Sequence, residues 1–113
     1  MKRPLAITLT AWFFILAGII GFAYHFYEHL FSGFDGEAIL VLMVRMLAIL
    51  GGILILKAKN FGRWLLIAWM AYHVVLSFYH DTMQVVMHTV FLLALLIIFF
   101  HSRVRQYFKE KTL

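Results

Sequence analysis

The chain has 113 residues, 65% of them hydrophobic and 13% charged, with a net charge of +5 and no cysteine. Soluble domains carry roughly 25% charged residues, so a chain this apolar, with mean hydropathy +0.94, is excluded from that class and needs lipid as its solvent. The missing cysteine excludes disulfides, thiolate metal sites and cysteine nucleophiles, leaving His, Asp, Glu and Met to hold any metal.

Four apolar runs follow one another. The first, residues 5–31, comes after Met1-Lys2-Arg3-Pro4, with Pro4 where the first turn of a helix tolerates it. A basic start before an apolar run resembles a secretory signal, but this run is too long, no Ala-x-Ala site follows and three more apolar segments come after it. It is expected to be a retained helix. The second run, residues 37–56, lies between a Ser32-Gly33-Phe34-Asp35-Gly36 turn and Lys57-Ala58-Lys59-Asn60, both links having turn composition. Residues 61–80 and 82–101 form the third and fourth runs, and a basic tail, residues 102–113, follows. Each run is near the roughly 20 residues that cross hydrocarbon. Short links force neighbouring helices to be antiparallel. The expected fold is an all-α integral membrane protein, a single transmembrane domain over residues 1–113 with four antiparallel helices in a compact bundle.

Charge orients that bundle. Lys2, Arg3, Lys57, Lys59, Arg63, Arg103, Arg105, Lys109 and Lys111, nine of the ten basic residues, fall on one side of a four-span arrangement. By the positive-inside rule that side is the cytoplasm, so both termini are expected there, in a bacterial cytoplasmic membrane. Glu28, Asp35, Glu37 and Asp81, four of the five acids, fall at the opposite ends. Topology and lipid headgroups account for the basic tail, so nucleic acid is not an expected partner. The bilayer is, together with other membrane proteins or further copies of the chain. Trp12, Trp64 and Tyr107 near the inner boundary and Tyr27 and Tyr79 near the outer one suit interfacial belts, with Trp69 deeper. Ala23-Tyr24-His25 and Ala71-Tyr72-His73 echo each other across 48 residues, a weak sign of a parallel repeat of helical hairpins.

With the helices oriented, five of six histidines gather in the outer half, and only His101 belongs to the other side. Arg45 lies about eight residues below the outer end of its helix, roughly 12 Å at 1.5 Å per residue. His73 and His88 lie at similar depth on adjacent helices, His25 is nearer the surface, and Glu28, His29, His80 and Asp81 are at the rim. Residues three, four or seven apart share a helix face. Ala17, Gly21, His25 and His29 form one such ridge, Arg45, Ala48 and Gly52 a second, Trp69, His73, Ser77 and His80 a third, and Asp81, Gln84 and His88 a fourth. Small residues favour close packing in lipid, so the His25 and Arg45 faces should point inward.

An arginine in mid-membrane costs about 2.5–3.5 kcal/mol on insertion scales, so Arg45 needs an acceptor. Glu28 is the first candidate, with Asp35, Glu37 and Asp81 behind it. The candidate polar or cofactor-binding cluster is His25, Glu28, His29, Arg45, His73, His80 and His88. His25 and His29 have the i, i+4 spacing that aligns two imidazoles, so a divalent metal could use His25, His29 and His73, with Glu28, His80 or Asp81 completing the shell. His73 and His88 suit haem, and a single histidine could hold a chlorophyll-type pigment. A ferritin-like di-metal centre needs more inward carboxylates, and Met43, Met46, Met70, Met83 and Met87 are better read as flexible packing than as copper ligands. Ser32, Ser77 and Ser102 lack a nucleophile motif, no phosphate loop is present, and no catalytic residue is assigned.

The functional expectation is a non-catalytic accessory or structural subunit of a larger membrane complex that ligates a cofactor through outer-half histidines. The alternative is a small transporter or proton-coupled permease using Arg45, Glu28 and the histidines, since intramembrane ionisable groups mark such paths. The orientation makes a direct prediction: a reporter active only in the periplasm, fused to the C-terminus, stays silent, and an active fusion would invert every depth assigned above.

Overall fold

The computed structural model describes residues 3–112, with side chains through residue 109; Lys2 and the side chains of Glu110 and Lys111 lie outside the described residues. Five helices appear in chain order: α1 (Leu5–Leu30), α2 (Gly36–Leu56), α3 (Asn60–Ser77), α4 (Thr82–Phe100) and α5 (Ser102–Thr112), with no strand among the described residues. Three of them, α1, α2 and α4, are long and apolar enough to cross a membrane. The third run does not qualify on composition, because Asn60, Arg63, Tyr72 and His73 dilute its 18 residues.

Local chemistry sets the helix ends. Asp35 and Asp81 are N-caps, their carboxylates accepting from the backbone N–H of Ala38 and of Gln84, each at 2.8 Å, which satisfies donors a helix start leaves unpaired. α2 closes with the paired bonds of a Schellman motif: Lys59 N–H donates to the Leu54 carbonyl (2.9 Å) and Ala58 N–H to that of Ile55 (3.1 Å). Ala58 holds the left-handed position, φ 58°, where glycine is usual. Its small side chain is buried there.

Consecutive long helices pack against one another, α1 on α2, α2 on α3 and α3 on α4. On α1 the buried Ile7, Ala11, Phe14 and Gly18 recur at spacings of four, three and four, and on α2 Ala48, Gly52 and Ile55 do likewise, which puts each set on one face. The two backbones meet closely. A Cβ on Gly18 would stand 2.5 Å from Ile49 and 3.0 Å from the Arg45 carbonyl, and one on Gly52 would stand 2.8 Å from the Ala11 carbonyl. This is the small-residue approach by which helices associate in lipid.

Contacts of α3 run in opposite order along both neighbours. Gly62 lies against Leu54 and Ile55, Leu66 against Gly51, and the Trp69 indole N–H donates to the Val44 carbonyl at 2.8 Å. On the other side Arg63 donates to the Phe99 carbonyl at 2.8 Å, while Ser77 meets His88. Hence α3 is antiparallel to α2 and α4 along its length. Between α1 and α4, where Phe13 and Phe91 rings approach to 5.9 Å, an apolar cavity of about 300 Å³ remains, lined by Leu9, Phe14, Met70 and Leu95 among others.

The basic tail is helix α5, folded across one end of the bundle. Its Val104, Tyr107 and Phe108 are buried, at the i, i+3, i+4 spacing of an apolar face. Tyr107, read from the sequence as an interfacial residue, is instead only 3% exposed, its hydroxyl donating to the Leu56 carbonyl at 3.3 Å. That carbonyl is one of those a helix end leaves open. The Arg63 guanidinium lies 4.7 Å from the centre of the Phe108 ring. Trp12, Trp64, Tyr27 and Tyr79 are exposed, as are Leu9, Leu16, Ile20, Leu40, Leu47, Val90 and Ile97. Gly52→Leu is expected to lower stability by about 1–3 kcal/mol through overpacking, read by chemical unfolding in micelles. Gly36→Ala, whose added methyl meets open space, should leave it unchanged.

Candidate polar sites

Two polar clusters lie in the half of the bundle away from α5. One joins α3 to α4. The His73 Nδ1 is 2.9 Å from the Trp69 carbonyl oxygen, and a carbonyl can only accept, so this nitrogen carries the proton. Ser77, 1% exposed, donates its hydroxyl to the His73 carbonyl at 2.7 Å and touches His88 Nδ1 at 2.5 Å. With its one proton already used, the hydroxyl must accept from His88. Both rings are therefore protonated at Nδ1, and in the neutral imidazole the lone pair is then on Nε2, the arrangement in which a carbonyl or hydroxyl orients a metal-binding imidazole.

Neither Nε2 has a partner among the described residues. Among the described residues no buried side-chain nitrogen lacks a partner, so both must be open to their surroundings. The two ring centres are 5.9 Å apart, and His73 also packs on the Trp69 ring at 3.9 Å. Arg45 is half-buried on α2 with its guanidinium against Gly21 of α1, and the carbonyl of its neighbour Val44 accepts the indole bond from Trp69, one turn before His73.

The second cluster sits on the last two turns of α1. His25 Nδ1 is 3.6 Å from a Glu28 carboxylate oxygen. The ligand atoms of His25, Glu28 and His29 all lie within 4.8 Å of one another.

The sequence-based candidates thus divide into two groups. His25, Glu28 and His29 come together, but His73, grouped with the first and last of these as a metal set, lies instead with His88. The expected Arg45–Glu28 pair is absent among the described residues: Glu28 faces His25, while Asp35 and Asp81 are engaged as caps. Short-range bonds to neighbours in sequence hold three of the four acids considered for Arg45. His80 is exposed in the α3–α4 link and joins neither cluster. Ser77, read as ordinary polar packing, is the residue that fixes His88; its i+4 position after His73, itself i+4 after Trp69, was the available signal.

The echoed Tyr-His pairs have the same ring geometry, 5.5 Å with interplanar angles of 82° and 81°, but different partners. Comparison of the chain with protein-family models, with curated proteins and with solved structures gave no match, so the sites are judged on their chemistry. Nitrogen-15 spectra of labelled histidine should show both His73 and His88 as Nδ1–H tautomers. Ser77→Ala should release His88 from that form and cost about 0.6–1.7 kcal/mol, the range for hydrogen bonds between membrane helices.

Proposed function

We propose that the chain is a four-span protein of a bacterial cytoplasmic membrane with both termini in the cytoplasm, serving as a small non-catalytic subunit that holds a metal-centred cofactor through His73 and His88. Support for the fourth span comes from α3 lying antiparallel between α2 and α4, two helices that qualify as spans. A helix coextensive with both crosses what they cross. An even number of spans then gathers Arg3, Lys57, Lys59 and the α5 basic residues on one side, as positive-inside topology requires.

The observation that carries the cofactor reading is the pair of Nε2 lone pairs held open by Nδ1–H bonds to Trp69 and Ser77. Arg45 narrows the class. Its cationic side chain, half-buried against Gly21 in the same half of the bundle, favours a group with an anionic periphery; a haem-type macrocycle with carboxylate substituents combines that with a metal that takes imidazole. What favours holding over conduction is the core toward α5, where Ile7, Phe14, Ile55, Leu66, Met70 and Phe99 are buried and where the polar groups of Arg63 and Tyr107 are already bonded to backbone carbonyls, a poor continuation for a polar path.

Mild-detergent purification with native partners should give a co-purifying complex and an imidazole-ligated Soret band. That band should disappear in His73→Ala and His88→Ala, weaken in Arg45→Leu, and persist when His25 and His29 are both changed to Ala. A colourless wild-type sample without partners, showing pH-dependent flux in liposomes that Arg45→Leu abolishes, would replace this reading with the permease. With no native cysteine, topology can be tested directly. An impermeant maleimide should label Ser32→Cys from outside intact cells and Lys59→Cys only after lysis.

A further inference from the structure

The rim cluster on α1 is chemically unlike the pair between α3 and α4. It carries its own negative charge and faces water. We infer that His25, Glu28 and His29 form a binding site for a single divalent transition-metal ion, separate from the His73–His88 pair.

Register supplies the first argument. Residues 25 and 29 are one turn apart and residue 28 is at i+3, so all three side chains leave the helix on one face. Their ligand atoms are mutually within 4.8 Å, with His25 and Glu28 at 3.6 Å. Ligands about 2.0–2.2 Å from one ion stand roughly 3–3.5 Å apart, so a small side-chain rotation closes the set.

Electrostatics supplies the second. Glu28 is the only one of the four acids at this end, among the described residues, whose carboxylate faces histidine. The cluster also lies at the C-terminal end of α1, where the helix dipole favours a cation. The backbone of that end is held: Gly33 N–H donates to the His29 carbonyl at 2.9 Å and Ser32 Oγ to that of Glu28 at 3.4 Å. The Tyr24 ring stands edge-on to His25, and Phe34 packs near His29 at 6.4 Å.

Access supplies the third. The side chain of Glu28 is 55% exposed and that of His25 25%, so an ion reaches the cluster from outside the bundle rather than through it. Two imidazoles and one carboxylate suit zinc, copper, nickel or iron over calcium or magnesium. Three protein ligands leave at least one coordination position for water or a further ligand.

The test uses the full chain in mild detergent, with any affinity tag removed, titrated with Cu²⁺ and Zn²⁺ by calorimetry. One equivalent of each should bind. The Cu²⁺ paramagnetic resonance should show coupling to two imidazole nitrogens. His25→Ala and His29→Ala should each weaken binding by about tenfold or more, and Glu28→Gln by less. His73→Ala and His88→Ala should leave it unchanged, so this site and the cofactor pair fail or stand separately. Stoichiometric binding that survives the His25→Ala/His29→Ala double change, or no binding by wild type at millimolar metal, overturns the inference.

Discussion

The molecule depends on how its least apolar long helix disposes of its polar groups. An unpaired polar group away from water costs several kcal/mol, and besides the exposed Trp64 and Tyr72, α3 carries the Trp69 indole, the His73 imidazole, the Ser77 hydroxyl and the Arg63 guanidinium. Each is bonded within the bundle. Trp69 donates to Val44 on α2, His73 to Trp69, Ser77 back to His73, and Arg63 to Phe99 on α4, while Ser77 receives His88. The same bonds that make α3 tolerable in an apolar setting tie α2 and α4 to it. They also hold the two imidazoles at fixed orientation, so packing and site are one construction.

That arrangement explains what could be read from the sequence and what could not. The four long helices are visible as apolar runs because their exposed faces carry apolar side chains as their buried ones do, and helix ends lie at Asp35, Lys57 and Asp81, where caps and turns write themselves into short stretches. Depth along a helix points to Glu28 for Arg45, but Glu28, Asp35 and Asp81 each meet a neighbour close in sequence instead. Asp81 followed three residues later by Gln84 is a local N-cap pattern, and that bond is made first. The tail hid its apolar face: Val104, Tyr107 and Phe108 are interleaved with Arg103, Arg105 and Lys109, so net charge drew attention away from spacing. Nor could Nδ1 and Nε2 be told apart before neighbouring carbonyls and hydroxyls were placed.

Charge sorts the histidines more sharply than depth does. No carboxylate among the described residues pairs with the α3–α4 histidines, and Arg45 lies in the same half of the bundle; the α1 pair has Glu28. Imidazoles in the first setting suit a ligand that brings its own negative groups, and those in the second suit a naked cation. The small size of the chain makes this separation possible without a polar core, because each cluster draws on a different pair of turns and leaves the opposite half of the bundle to Ile, Leu, Met and Phe.

The seating of α5 joins parts of the chain that are far apart in sequence. Tyr107 and Phe108 cover the end where Leu56, Arg63 and Phe99 meet. One short amphipathic helix thereby acts as a clasp on the end of α2, the start of α3 and the end of α4, at the opposite end of the bundle from His73 and His88.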